Sequence, residues 1–269
     1  MRRPRLTPWR LLRATARVTL AGLSTVTALV VLLPAVPVGY VSLRARTAWN
    51  SFIFRAWSRF NLALAGARLE VRGTPPRAPF FLVSNHLSYV DVLVLASRLD
   101  VVFVAKAQIR DWPLMGWVCR LVRTVFIQRE MKRDLPRVLG EIEDRMRHGQ
   151  GVVVFPEGTS SAGSGVPPFR PPLLELAARG ELPVDYASLA YRALPGENPA
   201  WTSICWWADM TFPDHFFHLL AMPGFEATLT FGSEPIRASD RKQLARRLHE
   251  AVVTIFEPSA PQHVRREDV

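Results

Sequence analysis

The chain has 269 residues, enough for one domain of ordinary size with a full core plus a short appendage. Its formal net charge of +11 arises entirely in the first 72 residues, which contain 12 Arg and one acidic side chain, whereas the remainder has 22 basic and 22 acidic side chains. The two cysteines, Cys119 and Cys205, exclude a disulfide framework and show no metal-ligand spacing, so we expect free thiols in a reducing compartment.

The basic N-terminal part surrounds strongly apolar sequence. Residues 1–17 contain six Arg and no acid, and residues 18–43 then run for 26 residues without a charge. Arg beside apolar sequence favours the anionic face of a membrane as the partner over a nucleic acid. At about 1.5 Å per residue the run is long enough to cross a hydrocarbon core of about 30 Å. Pro34 and Pro37 leave a kinked span, a re-entrant hairpin and an interfacial element as alternatives.

Residues 44–68 alternate Arg with aromatic side chains at a spacing of three to four. This pattern predicts a basic amphipathic helix that lies in the lipid interface. The alternative is a soluble helix packed on the core with its Arg facing water. We therefore predict that residues 1–68 form a membrane-anchoring helical segment. Arg lies on both sides of the apolar run, so the positive-inside rule does not decide its orientation.

From residue 69 the pattern becomes that of an α/β domain, which we predict for 69–257, followed by a polar tail at 258–269. Short apolar runs predict strands at 69–72, 80–83, 101–104, 124–127, 151–155, 184–189, 203–207 and 227–231. Helical patterns lie at 89–98, 113–121, 134–147, 172–178 and 239–256. This alternation predicts an α/β fold with a mixed, largely parallel sheet covered by helices. In such sheets functional groups collect at the carboxyl ends of strands.

The stretch Ser-Asn-His-Leu-Ser-Tyr-Val-Asp, which ends at Asp91, leaves the strand predicted at 80–83. Ser88, followed three residues later by Asp91 and then by an apolar run, predicts a helix start with Ser88 as its N-cap. His86 outside the helix and a carboxylate in its first turn can meet. The carboxylate would then orient the imidazole while the other ring nitrogen takes a proton from a hydroxyl. The alternative is that Asp91 only caps the helix and His86 is an ordinary loop residue.

Two further strand ends carry polar groups. Arg129 follows the strand predicted at 124–127, where a guanidinium can form two parallel hydrogen bonds with a phosphate or carboxylate, although such an Arg is commonly solvated. The turn after the strand predicted at 151–155 presents an acid, a glycine and hydroxyls: Glu157, Gly158, Thr159 and Ser160. The carboxylate can accept hydrogen bonds from a polyol or an amine, or anchor the loop itself. No Gly-Lys-Ser/Thr ending is present, which excludes a P-loop.

Two other patterns limit the chemistry. The absence of a Gly-x-Ser-x-Gly elbow points away from a covalent hydrolase and favours direct attack by a bound hydroxyl. An aromatic block at 206–220 contains His215 and His218, too few ligands to favour a metal site. The functional interpretation of this block is an apolar wall that accepts an acyl chain, and core packing is the alternative.

Three motifs, Asn-His-x-Ser-x-x-Asp, Phe-Ile-x-Arg and Phe-Pro-Glu-Gly-Thr, occur in this order and spacing. They resemble those of the glycerolipid acyltransferases typified by 1-acylglycerol-3-phosphate acyltransferase, and the likeness covers roughly residues 69–231. The resemblance implies that His86 and Asp91 are the catalytic dyad and that Arg129 holds the anionic group of the acceptor. It also implies residues that position the acceptor: Glu157, Gly158 and Thr159.

The resemblance further implies a membrane-associated O-acyltransferase without a cofactor or a nucleic-acid partner. Such an enzyme moves a fatty acyl group from acyl-CoA or acyl carrier protein to the free hydroxyl of a lysolipid, with 1-acylglycerol-3-phosphate as the favoured acceptor and phosphatidic acid as the product. It would work at the inner membrane, among membrane lipids, with its active site on the cytoplasmic face. A non-catalytic lipid-binding protein and a thioesterase are the alternatives in other classes.

Two positions depart from the family pattern. Arg123 stands where the family often has Gly, and Ser160 stands where enzymes acting on phosphate-bearing acceptors commonly carry Arg. Arg123 is a candidate to replace the missing cation in the acceptor site. The segments 124–127 and 207–210 are similar to a bacterial branch that includes lyso-ornithine lipid acyltransferases. A lyso-ornithine lipid or another lysophospholipid is therefore the alternative acceptor.

Overall fold

The computed structural model describes residues 7–128, 131–262 and 264, without the side chain of Lys132. Within these ranges seven strands form one sheet: β1 (Ala67–Arg72), β2 (Phe81–Ser84), β3 (Val101–Lys106), β4 (Val125–Ile127), β5 (Gly151–Val154), β6 (Val184–Ala193) and β7 (Phe225–Phe231). Their order is β1-β7-β6-β2-β5-β3-β4. Every neighbouring pair is parallel except β6 and β7, which are antiparallel. The predicted mixed, largely parallel sheet is confirmed.

Ten α-helices lie in the described ranges: α1 (Pro8–Leu32), α2 (Ala35–Val41), α3 (Leu43–Leu64), α4 (Val90–Ala96), α5 (Met115–Leu121), α6 (Leu135–Arg147), α7 (Glu175–Arg179), α8 (Ala200–Ser203), α9 (Phe212–Ala221) and α10 (Arg241–Ile255). Short 3₁₀ turns occur at Ala107–Asp111, Lys132–Asp134 and Pro171–Leu174.

Two apolar cores lie on opposite faces of the sheet. Side chains alternate along a strand, so in β2 Leu82 joins one core while Phe81 and Val83 join the other. The first core includes buried side chains of α3, α4 and α9, and the second those of α6, α7 and α10. Because both faces are covered, the central strands read as continuous apolar runs in the sequence.

One predicted strand is wrong. Residues 203–207 do not pair with the sheet, because Ile204 and Cys205 donate their N–H groups to the Ala200 carbonyl at 2.8 and 2.9 Å and so complete the turn of α8. Trp206 then donates its N–H to the Leu87 carbonyl at 2.8 Å. A short apolar run does not distinguish a strand from a buried turn.

The N-terminal segment forms a helical hairpin. α1 ends just before Pro34, and α3 runs back along α1, since Trp49 Nε1 donates to the Val31 carbonyl at 2.9 Å and Asn61 Nδ2 to Ser24 Oγ at 3.2 Å. The stretch Pro8–Val41 is long and apolar enough to cross a membrane, judged by length and composition alone.

The hairpin also packs on the α/β domain. Arg17 Nη1 donates to the Met222 carbonyl at 2.6 Å, just after α9 ends. On α3, Phe54 is 7% exposed and belongs to the first core, whereas Phe52 is 70% exposed. One face of α3 therefore packs on the core, as the second alternative for residues 44–68 states, and contact of the other face with the lipid interface stays a prediction. The boundaries predicted at 68/69 and 257/258 stay predictions.

Candidate active site

His86 leaves the carboxyl end of β2, between β5 and β6. Asn85 fixes this exit with its side-chain amide, because Nδ2 donates to the Leu189 carbonyl at 2.9 Å and Oδ1 accepts the Leu189 N–H at 2.7 Å. The amide thus continues the β2–β6 ladder by one step after the backbone has turned away. This buried contact fixes the backbone position from which the His86 side chain extends.

The structure brings His86 and Asp91 together. Nδ1 of His86 lies 2.7 Å from Asp91 Oδ2, and the Asp91 side chain is fully buried. The same oxygen accepts the N–H groups of Leu87 at 2.7 Å and Ser88 at 2.9 Å. An ionised carboxylate only accepts hydrogen bonds, so Nδ1 carries the proton and Nε2 carries the lone pair.

The predicted helix start differs in detail. α4 begins at Val90 without a side-chain cap, and Ser88 Oγ has no hydrogen-bond partner among the described residues. The N-cap is Tyr89, so the prediction that Ser88 is the N-cap is wrong. Asp91 instead accepts hydrogen bonds from N–H groups that precede the helix. These bonds hold the His86 loop against the first turn of α4.

Tyr191 on β6 holds the second oxygen of this carboxylate, and no sequence pattern singled it out. Its hydroxyl donates to Asp91 Oδ1 at 2.6 Å, and Tyr191 is 3% exposed. Burial, together with the neighbouring Asp91 charge, raises the pKa of Tyr191 well above the usual tyrosine value, so the hydroxyl remains a donor. Both oxygens of Asp91 are thereby fixed in place.

The imidazole of His86 lies on Phe155, with ring centroids 4.1 Å apart and nearly parallel planes. The side chain of His86 is 21% exposed, while its partner Asp91 is shielded from solvent. Because Nδ1 is hydrogen-bonded to the buried Asp91, Nε2 is the nitrogen available to a substrate at the surface. The pair has the geometry of a general base with an orienting carboxylate.

The Glu157 turn lies against His86. Oε1 of Glu157 accepts the His86 backbone N–H at 2.9 Å, and Glu157 is 3% exposed. Burial, opposed by this hydrogen bond and assisted by the Asp91 charge, raises the pKa of Glu157 well above the usual glutamate value. Of the alternatives for this carboxylate, the structure shows it anchoring a loop, that of His86.

The remaining residues of the turn have different surroundings. Gly158 has φ +82, a left-handed conformation that a glycine adopts without steric cost. Thr159 is exposed, and the Ser160 hydroxyl donates to the Trp206 carbonyl. Ser160 therefore ties this turn to the loop after α8, and that loop is in turn bonded to the His86 segment.

The cations predicted for the acceptor site fall in different places. Arg123 precedes β4 at its amino end, opposite the strand ends that carry His86, and its Nη2 pairs with Asp144 at 2.7 Å. The structure does not bring Arg123 to the site, so it does not replace the missing cation. Arg129 lies outside the described residues, and its role stays a prediction.

A cation that the sequence did not single out lies at the turn. The side chain of Arg170 packs over Gly158, whose ideal Cβ would be 3.3 Å from Arg170 Nε, and the Arg170 N–H donates to the Pro156 carbonyl at 2.9 Å. Arg170 is exposed. The contact brings together residues twelve positions apart, which only the fold of the loop between them determines.

An aromatic wall stands beside the His86 loop. Tyr89, Trp206 and Phe212 contact one another edge to face, and Trp112 and Phe216 extend the cluster. His215 Nδ1 lies 3.0 Å from the Tyr89 hydroxyl. Among the described residues no cluster of His, Cys, Asp and Glu could hold a metal ion.

Comparison with known proteins identifies the family of the chain. A family model described as Acyltransferase matches residues 68–185, a range that includes His86, Asp91 and Glu157 and ends before Tyr191. The chain is 33% identical to a lyso-ornithine lipid O-acyltransferase of Rhodobacter capsulatus, over 76% of this chain and 75% of the relative. It is 27% identical to the 1-acyl-sn-glycerol-3-phosphate acyltransferase of Neisseria gonorrhoeae, over 74% of this chain and 78% of the relative.

The fold matches a solved structure as well. The crystal structure of the 1-acyl-sn-glycerophosphate acyltransferase from Thermotoga maritima superposes with a TM-score of 0.57 at 16% identity, over 87% of this chain and 97% of that one. The resemblance of the three motifs is confirmed: the chain belongs to the acyltransferase family and is an acyltransferase.

Proposed function

We propose that this enzyme transfers a fatty acyl group from the thioester of acyl-CoA or acyl carrier protein to the free hydroxyl of a lysolipid. The observation that carries the proposal is the His86–Asp91 pair, with Nδ1 bonded inward at 2.7 Å and the imidazole partly exposed beside the Glu157 turn. The reaction needs no cofactor beyond the acyl donor.

In the proposed mechanism, Nε2 of His86 takes the proton of the acceptor hydroxyl as its oxygen attacks the thioester carbonyl. The tetrahedral oxyanion then collapses, the carbon–sulfur bond breaks, and the thiolate takes the proton from the imidazolium. Asp91 stabilises that imidazolium and keeps the ring in the correct tautomer. General-base assistance of this kind contributes typically about 10²–10⁴-fold to the rate, and positioning of the two substrates supplies much of the rest.

For the acceptor we favour a lyso-ornithine lipid. The relatives that carry this name match up to 86% of the chain at 28–33% identity, and Ser160 replaces the Arg of enzymes that act on phosphate-bearing acceptors. Ornithine is an amino acid and brings a carboxylate instead of a phosphate, for which Arg170 at the Gly158 turn is a suitable partner. 1-Acylglycerol-3-phosphate is the second candidate, because Arg170 also suits a phosphate.

We further propose that the protein works at the inner membrane with this site on the cytoplasmic face. The long apolar stretch Pro8–Val41 supports membrane association, as do the exposed aromatic side chains of α3. The aromatic wall beside the site would receive the acyl chain, and a membrane edge would keep water from the thioester.

The test is acyl transfer by the purified protein. A panel of lysolipids is supplied with one acyl thioester, and the products are identified by mass spectrometry for the wild type, His86→Ala and Asp91→Asn. We expect wild-type transfer to a lyso-ornithine lipid and a loss of at least about 10²-fold in both variants, because each removes part of the base. Near-normal turnover by a folded His86→Ala protein would remove the mechanism.

Two controls separate the alternatives. A thioesterase would release free fatty acid whether or not a lysolipid is present, and a non-catalytic lipid-binding protein would bind vesicles without forming any product. The same panel with Arg170→Ala tests the acceptor site: we expect a higher acceptor KM for anionic lysolipids and an unchanged KM for an uncharged monoacylglycerol.

A further inference from the structure

A cleft of about 300 Å³ opens beside α3, away from the proposed active site. Its lining includes Asp100, just before β3, and Gly149, just before β5. The cleft therefore lies at the amino ends of the parallel strands, whereas His86 lies at a carboxyl end. Nothing in the proposed mechanism uses this edge of the sheet.

The lining of the cleft is cationic. Arg44 and Arg55 stand on one side of α3, since eleven residues are about three helical turns, and His148 lines the cleft with them. Asp100 is the one carboxylate among the lining residues, and it pairs with Arg55. Arg44 has no ion-pair partner among the described residues, and the buried Nε of Arg55 has no hydrogen-bond partner there. The cleft therefore has donors for an anion.

The helices next to the cleft expose large apolar side chains. Phe52, which lines the cleft, is 70% exposed, and Trp49 on the same helix is 46% exposed. Tyr40 and Val41, the last residues of α2, are 88% and 91% exposed. Apolar side chains beside guanidinium groups form the arrangement expected of a helix at the boundary between acyl chains and headgroups.

We propose that this cleft binds the phosphodiester headgroup of an anionic phospholipid, with Arg44 and Arg55 as its ligands. Guanidinium groups form paired hydrogen bonds with phosphate oxygens, and the hydroxyls of Thr47 and Ser51 lie in the same lining. The exposed Phe52 distinguishes a lipid from a free phosphate, because it would contact the acyl chains that leave the headgroup. The bound lipid would hold the hairpin at the membrane surface and is not a substrate.

The experiment measures binding of the full chain, in neutral detergent, to dihexanoyl phosphatidylglycerol below its micelle concentration. We expect the double variant Arg44→Ala, Arg55→Ala to bind about tenfold or more weakly than the wild type, and dihexanoyl phosphatidylcholine to bind weakly to both. The matched control removes two Arg from the opposite face of the sheet, Arg179→Ala with Arg246→Ala on α7 and α10, and should bind within about twofold of the wild type. An equal loss in the control would mean that only net charge matters and would overturn the proposal.

A variant that is expected to bind the lipid more tightly excludes misfolding as the cause of the weaker binding. Asp100→Asn removes the carboxylate that occupies Arg55, so we expect phosphatidylglycerol to bind several-fold more tightly, a gain that an unfolded protein would not give. Unchanged or weaker binding would contradict the proposal. Displacement of phosphatidylglycerol by inorganic phosphate or coenzyme A at equal concentration would make this a site for free phosphate compounds and would also overturn it. None of these outcomes depends on acyl transfer.

Discussion

The carboxylate of Asp91 is the most completely bonded group in the site. A buried carboxylate is tolerated only when hydrogen bonds replace its water, and here it receives two backbone N–H groups, the His86 ring and the Tyr191 hydroxyl. Three of these bonds fix Oδ2, and among the described residues Tyr191 is the one that fixes Oδ1. The orientation of the imidazole therefore depends on a side chain from a different strand.

Tyr191→Phe tests this dependence. The change leaves Oδ1 buried without a partner, which we expect to cost about 1–3 kcal/mol of stability in chemical denaturation. It should also lower kcat about tenfold with little change in the acceptor KM, because Tyr191 orients the dyad and does not contact substrate. Tyr186→Phe on the same strand is the control, because the Tyr186 hydroxyl forms no hydrogen bond with the part of the chain that the structure describes. A stability loss with normal kcat would restrict Tyr191 to a structural role.

Glu157 gives a pH dependence of stability. Its raised pKa means that the folded protein holds this proton more tightly than the unfolded chain, whose glutamates titrate near about 4.3. The stabilisation is therefore complete below that value and is lost as pH rises through the folded pKa, by at most about 1.4 kcal/mol per pH unit. Glu157→Gln keeps an oxygen for the His86 N–H but removes the titration.

Urea unfolding of both proteins across this pH window is the measurement. The wild type should lose stability relative to Glu157→Gln as pH rises, and Glu234→Gln, at an exposed position, should not show this relative change. Parallel curves for the wild type and Glu157→Gln would contradict the assignment. Acyl transfer retained by Glu157→Gln would support a positioning role for this residue, since the neutral amide still accepts the His86 N–H.

At the residue scale, distance along the chain decided what the sequence could predict. His86 and Asp91 are five residues apart, so the start of one helix is enough to bring them together. Tyr191 is 100 residues from Asp91, and its contact depends on β6 lying next to β2, which no local pattern gives. Arg123 could have been placed from its sequence, because a residue before a parallel strand lies at the amino edge.

At the element scale, the period of the hydrophobic pattern and the length of each apolar run determined which predicted helices and strands were confirmed. The strands confirmed in the sheet are short apolar runs that alternate with helical patterns. The run at 203–207 has the same composition, but its N–H groups close a turn of α8. Most of α9 lies within the aromatic block at 206–220, for which no helix is predicted. Two features of its sequence are nevertheless typical of a helix: Pro213 in the first turn, and the spacing of four between His215 and Leu219, which are both buried in the structure.

The helical hairpin shows why an amphipathic pattern is ambiguous. Arg and aromatic side chains at three-to-four spacing predict a helix with two faces but not which face meets protein. In the structure α3 buries Phe54 and Trp57 against the first core and leaves Trp49 and Phe52 exposed. Only the position of α4 and β1, which α3 contacts, decides between the two faces.

At the scale of the whole molecule, the sheet separates two edges with different chemistry. The carboxyl ends of β2 and β5 carry the proposed catalytic groups, and the amino ends carry the cationic cleft. The hairpin contacts α4, α5 and α9, and α4 directly follows the His86 loop. We therefore infer that the N-terminal segment is part of the folded unit and not a detachable anchor.

Two phenylalanines on α3 test this inference, because they are two residues apart and face in different directions. Phe54→Ala should cost about 3–5 kcal/mol of stability if α3 is part of the core, because Phe54 is only 7% exposed and its removal leaves a cavity. Phe52→Ala, at a position 70% exposed, should change the stability by less than about 0.5 kcal/mol. It should weaken binding to phosphatidylcholine vesicles about tenfold, because the transfer of a side chain of this size out of water is favourable by about 1.5–3 kcal/mol. Thermal unfolding and vesicle sedimentation measure the two effects. A Phe54→Ala protein as stable as the wild type would show that the α/β domain folds without α3, and the hairpin would then be an anchor after all.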